Sequence, residues 1–85
     1  MALYKVRLLS TAIKELRAIP KLQLRLVAAK ISGLAANPRP HGAQKLSGED
    51  RCRLRQGDWR IIYAIDDPGR RVLVVKIGHR KEVYR

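Results

Sequence analysis

Arg51, Arg53 and Arg55 recur at every second position, and Arg60 follows shortly after them. On an extended strand alternate side chains share a face, so three guanidinium groups project together while Cys52 and Leu54 point the other way. Gly57-Asp58 suits a two-residue hairpin loop, because glycine at the first turn position accepts the positive φ of a type II′ turn. That loop pairs Gln56 with Trp59 and sets Arg55 across from Arg60. Like charges facing each other on a ladder are destabilising, so such a face is either well solvated or built to meet an anion. Guanidinium forks bind phosphate through two parallel hydrogen bonds and keep their charge at any working pH. The cluster could stabilise the extra charge of a phosphorane-like state when a 2′-hydroxyl cleaves RNA. It could equally hold an intact backbone with no chemistry, and from spacing alone binding is the commoner outcome.

The rest of the catalytic inventory is thin. There is no Ser-His-Asp arrangement, no glycine-rich phosphate loop and no pair of histidines at metal-ligand spacing, so neither a metal nor a cofactor is expected. His79 and Tyr84 lie near the C-terminus. Of the acids, Asp66 and Asp67 belong to a turn and Glu49 and Asp50 to a loop, where solvated roles suit them. The single cysteine, Cys52, excludes an internal disulfide and a cysteine-based zinc site, fits a reducing cytoplasm and reads as a small buried hydrophobe. Trp59, beside the hairpin turn, reads as a cross-strand packing partner, and Tyr63 as core. Lys14, Arg17, Lys21, Arg25 and Lys30 read as solvated helix charges.

Stepping outward to the elements that hold these groups, 85 residues with 46% hydrophobic content suit one globular domain, residues 1–85. The formal charge is +12, from 19 Lys and Arg against 7 Asp and Glu. It predicts salt-sensitive attraction to a polyanion and says nothing of the fold. No apolar run reaches the roughly 18 residues a membrane helix needs, and Met1 to Thr11 lacks the apolar core of a signal peptide. A cytoplasmic protein without a membrane partner is the expectation.

Leu3 to Leu9 suits a first strand. Ser10 or Thr11 is placed to cap a short helix that carries Ile13 and Leu16 on one face. Pro20 is placed to open a second helix. There Leu24, Val27, Ala28, Ile31, Leu34 and Ala35 form an apolar stripe at the helical period, and Asn37-Pro38-Arg39-Pro40 ends it. His41 to Asp50 reads as a loop anchored by Leu46. After the arginine hairpin, Asp67-Pro68-Gly69-Arg70 suits a type II turn. Val72 to Ile77 is nearly continuous in apolar residues, which predicts a central strand covered on both faces. The order is β-α-α-β-β-β: an α+β fold in which a helical hairpin packs on a small, largely antiparallel four-stranded sheet.

The run from Lys45 to Arg85 resembles the RelE toxins of the RelE/ParE superfamily, ribosome-dependent mRNA interferases of toxin–antitoxin pairs. The residues that carry the resemblance are Lys45-Leu46, then Arg53-Leu54-Arg55-x-Gly57-Asp58-Trp59-Arg60-Ile61-Ile62-Tyr63, the acidic turn at Asp66-Asp67, and Ile77-Gly78-His79-Arg80-x-x-Val83-Tyr84. The helical hairpin before them is also a family feature. The resemblance implies an endoribonuclease that cuts mRNA in the ribosomal A site by metal-independent 2′-hydroxyl transesterification. It also implies a cognate RelB-like antitoxin as restraining partner, beside the ribosome and mRNA. By the same resemblance Arg53, Arg60 and Arg80 clamp phosphate and stabilise charge, Tyr84 stacks on or orients a base, and Arg51, Arg55 and Lys45 hold the RNA.

The best-known members carry lysines on the strand where this chain carries arginines. Arginine does not give up its proton in a protein, so His79 becomes the candidate for proton exchange and Tyr84 the second. Two further readings stay open: a ParE-like inhibitor of DNA gyrase, and a non-catalytic nucleic-acid-binding module. Strand parity is open too. A two-residue Pro68-Gly69 loop would put Arg60 on the face of Ile77 and His79, whereas a longer loop or a bulge at Gly78 would put it on the face of Arg80.

Overall fold

The computed structural model describes residues 3–46 and 50–79. Its elements run β1 (Lys5–Leu8), α1 (Ser10–Arg17), α2 (Lys21–Gly33), β2 (Gln44–Lys45), β3 (Arg51–Gln56), β4 (Trp59–Asp66) and β5 (Arg71–His79). The predicted order holds with one addition. Residues 44–45, read as part of a loop, pair with β3 as a fifth, edge strand. The sheet order is β1-β5-β4-β3-β2, with β1 parallel to β5 and the other neighbours antiparallel.

The β3–β4 hairpin has the register that its turn demands. Gln56 pairs with Trp59 and Arg55 with Arg60, and Gly57 takes the positive φ of 60°. The β4–β5 connection differs from expectation. Asp67 accepts from the Arg70 N–H at 3.2 Å, so Pro68 and Gly69 are indeed central. The positive φ, however, falls on Arg70 (52°) and not on Gly69, which rules out a type II turn. A Cβ at 69 would meet the Asp66 carboxylate, the exposed end of a side chain that can turn aside, so the position favours glycine without requiring it.

Alternation divides the sheet into two faces. Leu54, Ile61 and Ile77 lie side by side on one of them, as do Cys52, Tyr63 and Val74. The buried helix residues Ala12, Ile19, Val27, Ile31 and Leu34 close over this face. Each large side chain removed from water here contributes about 1.5–3 kcal/mol. The α2 stripe is as predicted, with Val27, Ile31 and Leu34 buried. In α1 the buried position is Ala12, and Ile13 remains exposed. Both share a helical face with Leu16, and the docking of α1 on β5 selects Ala12. Neither Ser10 nor Thr11 caps α1. The N-cap is Leu9, without a side-chain cap bond, and its own N–H donates to the Val74 carbonyl at 2.9 Å. The sheet fixes the helix entry instead. Beyond the end of β1, the Glu15 carboxylate takes over the edge of β5: it accepts from the Ile77 N–H at 3.0 Å and from Lys76 Nζ at 3.1 Å.

β5 lies between β1 and β4, as its apolar run predicts, but the helices cover only one of its faces. Leu73 and Lys76 on the other face are exposed. Two polar anchors tie the loops to the sheet. The buried Tyr63 hydroxyl donates to the Pro38 carbonyl at 2.7 Å, and burial pushes its pKa up to about 12. Arg39 grips Asp67 with two bonds of 3.1 and 2.8 Å, while the Tyr4 hydroxyl donates to the same carboxylate at 2.7 Å. The Arg39 bonds, then that of Tyr4, hold Asp67 down at about 2.

Candidate functional site

The second face of the sheet carries the arginines. Arg51 stands across from Ala64, Arg53 from Ile62, and Arg55 from Arg60. Arg60 in turn pairs with Gly78 of β5, which presents no side chain beside it. The row Arg55–Arg60–Gly78 thus opens a cationic strip at the hairpin end, and Arg53 with Lys76 flank Ile62 one step further along. Ile62 is buried although no helix of the described residues packs on this face. Long cationic side chains shelter apolar neighbours with their alkyl stems in this way. Among the described residues the carboxylate of this ladder is Asp66, at the far end of β4 across from Arg71.

Arg60 is the unusual member. It is 9% exposed. Its Nη1 donates to the carbonyls of Gly57 and Trp59, both at 3.3 Å, which ties the guanidinium to the hairpin turn. Its Nε makes no hydrogen bond among the described residues. A buried donor of a charged group left without an acceptor costs free energy. Arg53 is oriented from the opposite side, because its Nη2 donates to the Gln44 side-chain carbonyl across the β2–β3 pair. Gln44 escaped the sequence reading. It lies in a stretch without strand periodicity, and only pairing with β3 puts it on this face.

The register settles the parity question. Tyr63 pairs with Val74 but Ile62 with Lys76, so Val75 is an extra residue in β5. This bulge, at Val75 and not at Gly78, puts Arg60 opposite Gly78 and leaves His79 on the helix-covered face, whereas the four-residue turn keeps the register that a Pro68-Gly69 loop would set. There His79 pairs with Trp59 in an edge-to-face contact, with ring centroids 5.6 Å apart and planes at 88°. Trp59 is the cross-strand packing partner that its sequence position predicts. His79 is not brought together with Arg53 and Arg60. Nor is Lys45: it stands across from Cys52, on the opposite face from Arg53, and lines a hollow with Arg39 and Asp67. Arg80 and Tyr84 lie outside the described residues. No group of three or more His, Cys, Asp or Glu that could hold a metal occurs among the described residues.

A five-stranded sheet with a helical hairpin on one face and an arginine ladder on the other defines a small basic α+β protein with one apolar and one cationic sheet face. The chain matches the family model described as the ParE toxin of the type II toxin–antitoxin system, parDE, over residues 6–84, and it belongs to that family. Within it the chain is a type II toxin of RelE type. It is 33% identical over 84 residues to toxin RelE of Mycobacterium tuberculosis, covering 96% of this chain and 87% of that protein. The fold matches the RelBE2 toxin–antitoxin complex of the same organism with a TM-score of 0.81 at 28% identity, over 96% of this chain and 97% of that one. It also matches an archaeal RelE–RelB complex from Pyrococcus horikoshii with a TM-score of 0.79 at 24% identity, over 94% of this chain and 98% of that one, a likeness of fold. No helix among the described residues is long and apolar enough to cross a membrane.

Proposed function

We propose that this toxin is an endoribonuclease that cuts mRNA in the A site of translating ribosomes, in the cytoplasm, and so arrests translation. The observation that carries this reading is the guanidinium row at the hairpin end, in which Arg53 is oriented by Gln44 and Arg55 stands across from Arg60. In the proposed reaction the 2′-oxygen of one nucleotide attacks the adjacent phosphorus and the bond to the 5′-oxygen breaks. The products are a 2′,3′-cyclic phosphate and a free 5′-hydroxyl; the proton leaves the 2′-oxygen and one is delivered to the 5′-oxygen. Charge builds on the non-bridging oxygens in the transition state, and fixed donors aimed at them lower the barrier.

Arg53 and Arg60 take that role here, with Arg80 as the third cation the family resemblance supplies. Arg51 and Arg55 hold the neighbouring phosphates. Tyr84 is assigned to the base and, with His79 turned to the helix side, to the proton exchange as well. No metal or cofactor enters this scheme. The solved relatives are toxin–antitoxin complexes with RelB, and a RelB-like antitoxin that covers the arginine face with an acidic or amphipathic segment is the proposed restraint on this chain.

Primer extension on mRNA programmed into purified ribosomes tests the proposal. Ribosome-dependent cuts inside A-site codons, absent with an Arg80→Ala/Tyr84→Ala protein, are the expected result. Intact mRNA would reject it and turn attention to gyrase supercoiling, the activity that the ParE name of the family model suggests.

A further inference from the structure

The arginine face does not end at β4. In the parallel pair at the other side of the sheet, Lys5 stands directly across from Arg71, and Arg7 across from Leu73. Residues in register share a face, and Arg71 is also in register with Asp66 of β4, so this group lies on the same side as Arg51, Arg53 and Arg55. Arg70 joins it from the turn, where its backbone is held in the left-handed conformation at φ 52° while the neighbouring glycine is not. Together Lys5, Arg7, Arg70 and Arg71 line a hollow of about 610 Å³ floored by Leu3 and Leu73. Among the described residues no carboxylate lines it. The nearest acid is Asp66, whose Oδ2 is 4.0 Å from Arg71 Nε, with both side chains more than half exposed. Four cations in one hollow, two of them face to face across a ladder, repel each other in the isolated protein. An anionic ligand relieves that repulsion.

The sequence carried a signal for this group that is easy to pass over. Lys5 and Arg7 alternate on β1 as Arg51, Arg53 and Arg55 do on β3. The parallel pairing of β1 with β5, separated from it by more than sixty residues of chain, then adds Arg71 to the same row.

We infer that Lys5, Arg7, Arg70 and Arg71 form a second phosphate-binding station on the sheet face, which holds single-stranded RNA flanking the segment gripped by Arg51, Arg53 and Arg55. The inference rests on the proposed RNA reading and deepens it by assigning a binding site outside the reacting row. β1 is three strand intervals from β3 in the sheet order, about 14 Å at the usual strand spacing. That span belongs to an RNA strand running across the sheet, and one nucleotide does not bridge it. Phosphate is the fitting ligand because the group is rich in arginine forks, with Leu3, Val72 and Leu73 as the apolar side chains of the lining. The station contributes grip and register; it does not touch the reacting phosphate.

Fluorescence anisotropy with unstructured single-stranded RNA, titrated over a range of salt, tests this without requiring cleavage. The proteins are the unaltered chain, Arg7→Gln/Arg71→Gln, Arg7→Lys/Arg71→Lys, and Arg53→Gln as a control on the first station. For an oligonucleotide of roughly 12 residues, within the range that single-strand binding surfaces span, the double Gln protein should lose about 1.4 from the slope of log K against log salt. This is two phosphate contacts at about 0.7 each. The double Lys protein should keep the slope, since it keeps both charges, and this separates charge loss from damage to the fold. With a dinucleotide, whose single phosphodiester cannot reach both stations, the double Gln protein should bind like the unaltered chain, while Arg53→Gln weakens both lengths. An unchanged slope for the double Gln protein on the longer RNA overturns the inference. So does an unchanged slope accompanied by weaker binding of an acidic antitoxin peptide, which would give the hollow to the protein partner. Failure of the unaltered chain to bind either RNA would reject the RNA reading itself and the inference with it.

Discussion

The two faces of the sheet are made by the same strands, one residue apart, and they meet opposite demands. On β3, Cys52 and Leu54 turn toward the helices, while Arg51, Arg53 and Arg55 turn away. The first face is bound together by apolar contact with Val27, Ile31 and Leu34. The second accumulates like charge that works against the fold, with Arg55 across from Arg60 and Lys5 across from Arg71. Stability therefore comes from one parity, and the proposed function assigns binding chemistry to the other. A slip of one residue in register would exchange them, which is why the tight Gly57-Asp58 turn and the Val75 bulge matter more than their size suggests.

The comparison predicts separable effects for neighbouring residues. Leu54, 2% exposed at the centre of the core face, should cost about 2–5 kcal/mol on replacement by alanine. Arg55→Ala beside it, exposed and facing its like across the ladder, should leave urea-denaturation stability within about 0.5 kcal/mol or raise it slightly. Equal losses for the two would break the division between faces. Tyr63→Phe should cost about 1–2 kcal/mol, because it removes a buried hydrogen bond and leaves the Pro38 carbonyl unpaired. The Tyr63 hydroxyl is raised in the folded state, so its contribution is complete below pH 10 and fades as pH rises toward 12. The alkaline limb of a stability–pH curve should flatten in the Phe protein.

His79→Gln sharpens the assignment of faces. Loss of the edge-to-face contact with Trp59 should lower stability by about 0.5 kcal/mol, with the cleavage rate unchanged. A collapse of the rate at normal ribosome binding would return the proton exchange to His79. The smallest effect belongs to the exposed Asp67 cluster. Its carboxyl is held down at about 2 by Arg39 and Tyr4. The stabilisation is therefore present above the ordinary carboxylate value near 3.8 and lost as pH falls toward 2. Asp67→Asn should flatten that acid limb, its small loss of stability showing at neutral pH, where solvent screens the exposed cluster, and vanishing as pH falls toward 2.

How far this arrangement could be read from sequence depends on how local its determinants are. The β3–β4 register followed from a two-residue turn flanked by alternating residues, and the arginine row followed from that register. The α2 stripe was legible because six positions repeat at the helical period. The face of α1 was not, because eight residues offer Ile13 and Ala12 as equal companions of Leu16 and only contact with β5 chooses. The face of His79 stayed open in the sequence for the same kind of reason. It depends on one extra residue, Val75, which no local pattern marks. Gln44 and the Lys5–Arg7–Arg70–Arg71 group depend on pairing between distant segments, which no local pattern announces.

The central claim is that the arginine face performs chemistry and does more than bind. The most direct test is single-turnover cleavage on mRNA-programmed ribosomes at saturating protein, comparing the unaltered chain with Arg53→Ala. The account predicts a fall in the cleavage step of about 10²–10³-fold, the usual cost of removing one donor to developing charge, with ribosome affinity nearly kept. A rate that recovers fully at saturation, so that only affinity is lost, would contradict it and leave a nucleic-acid-binding surface without catalysis.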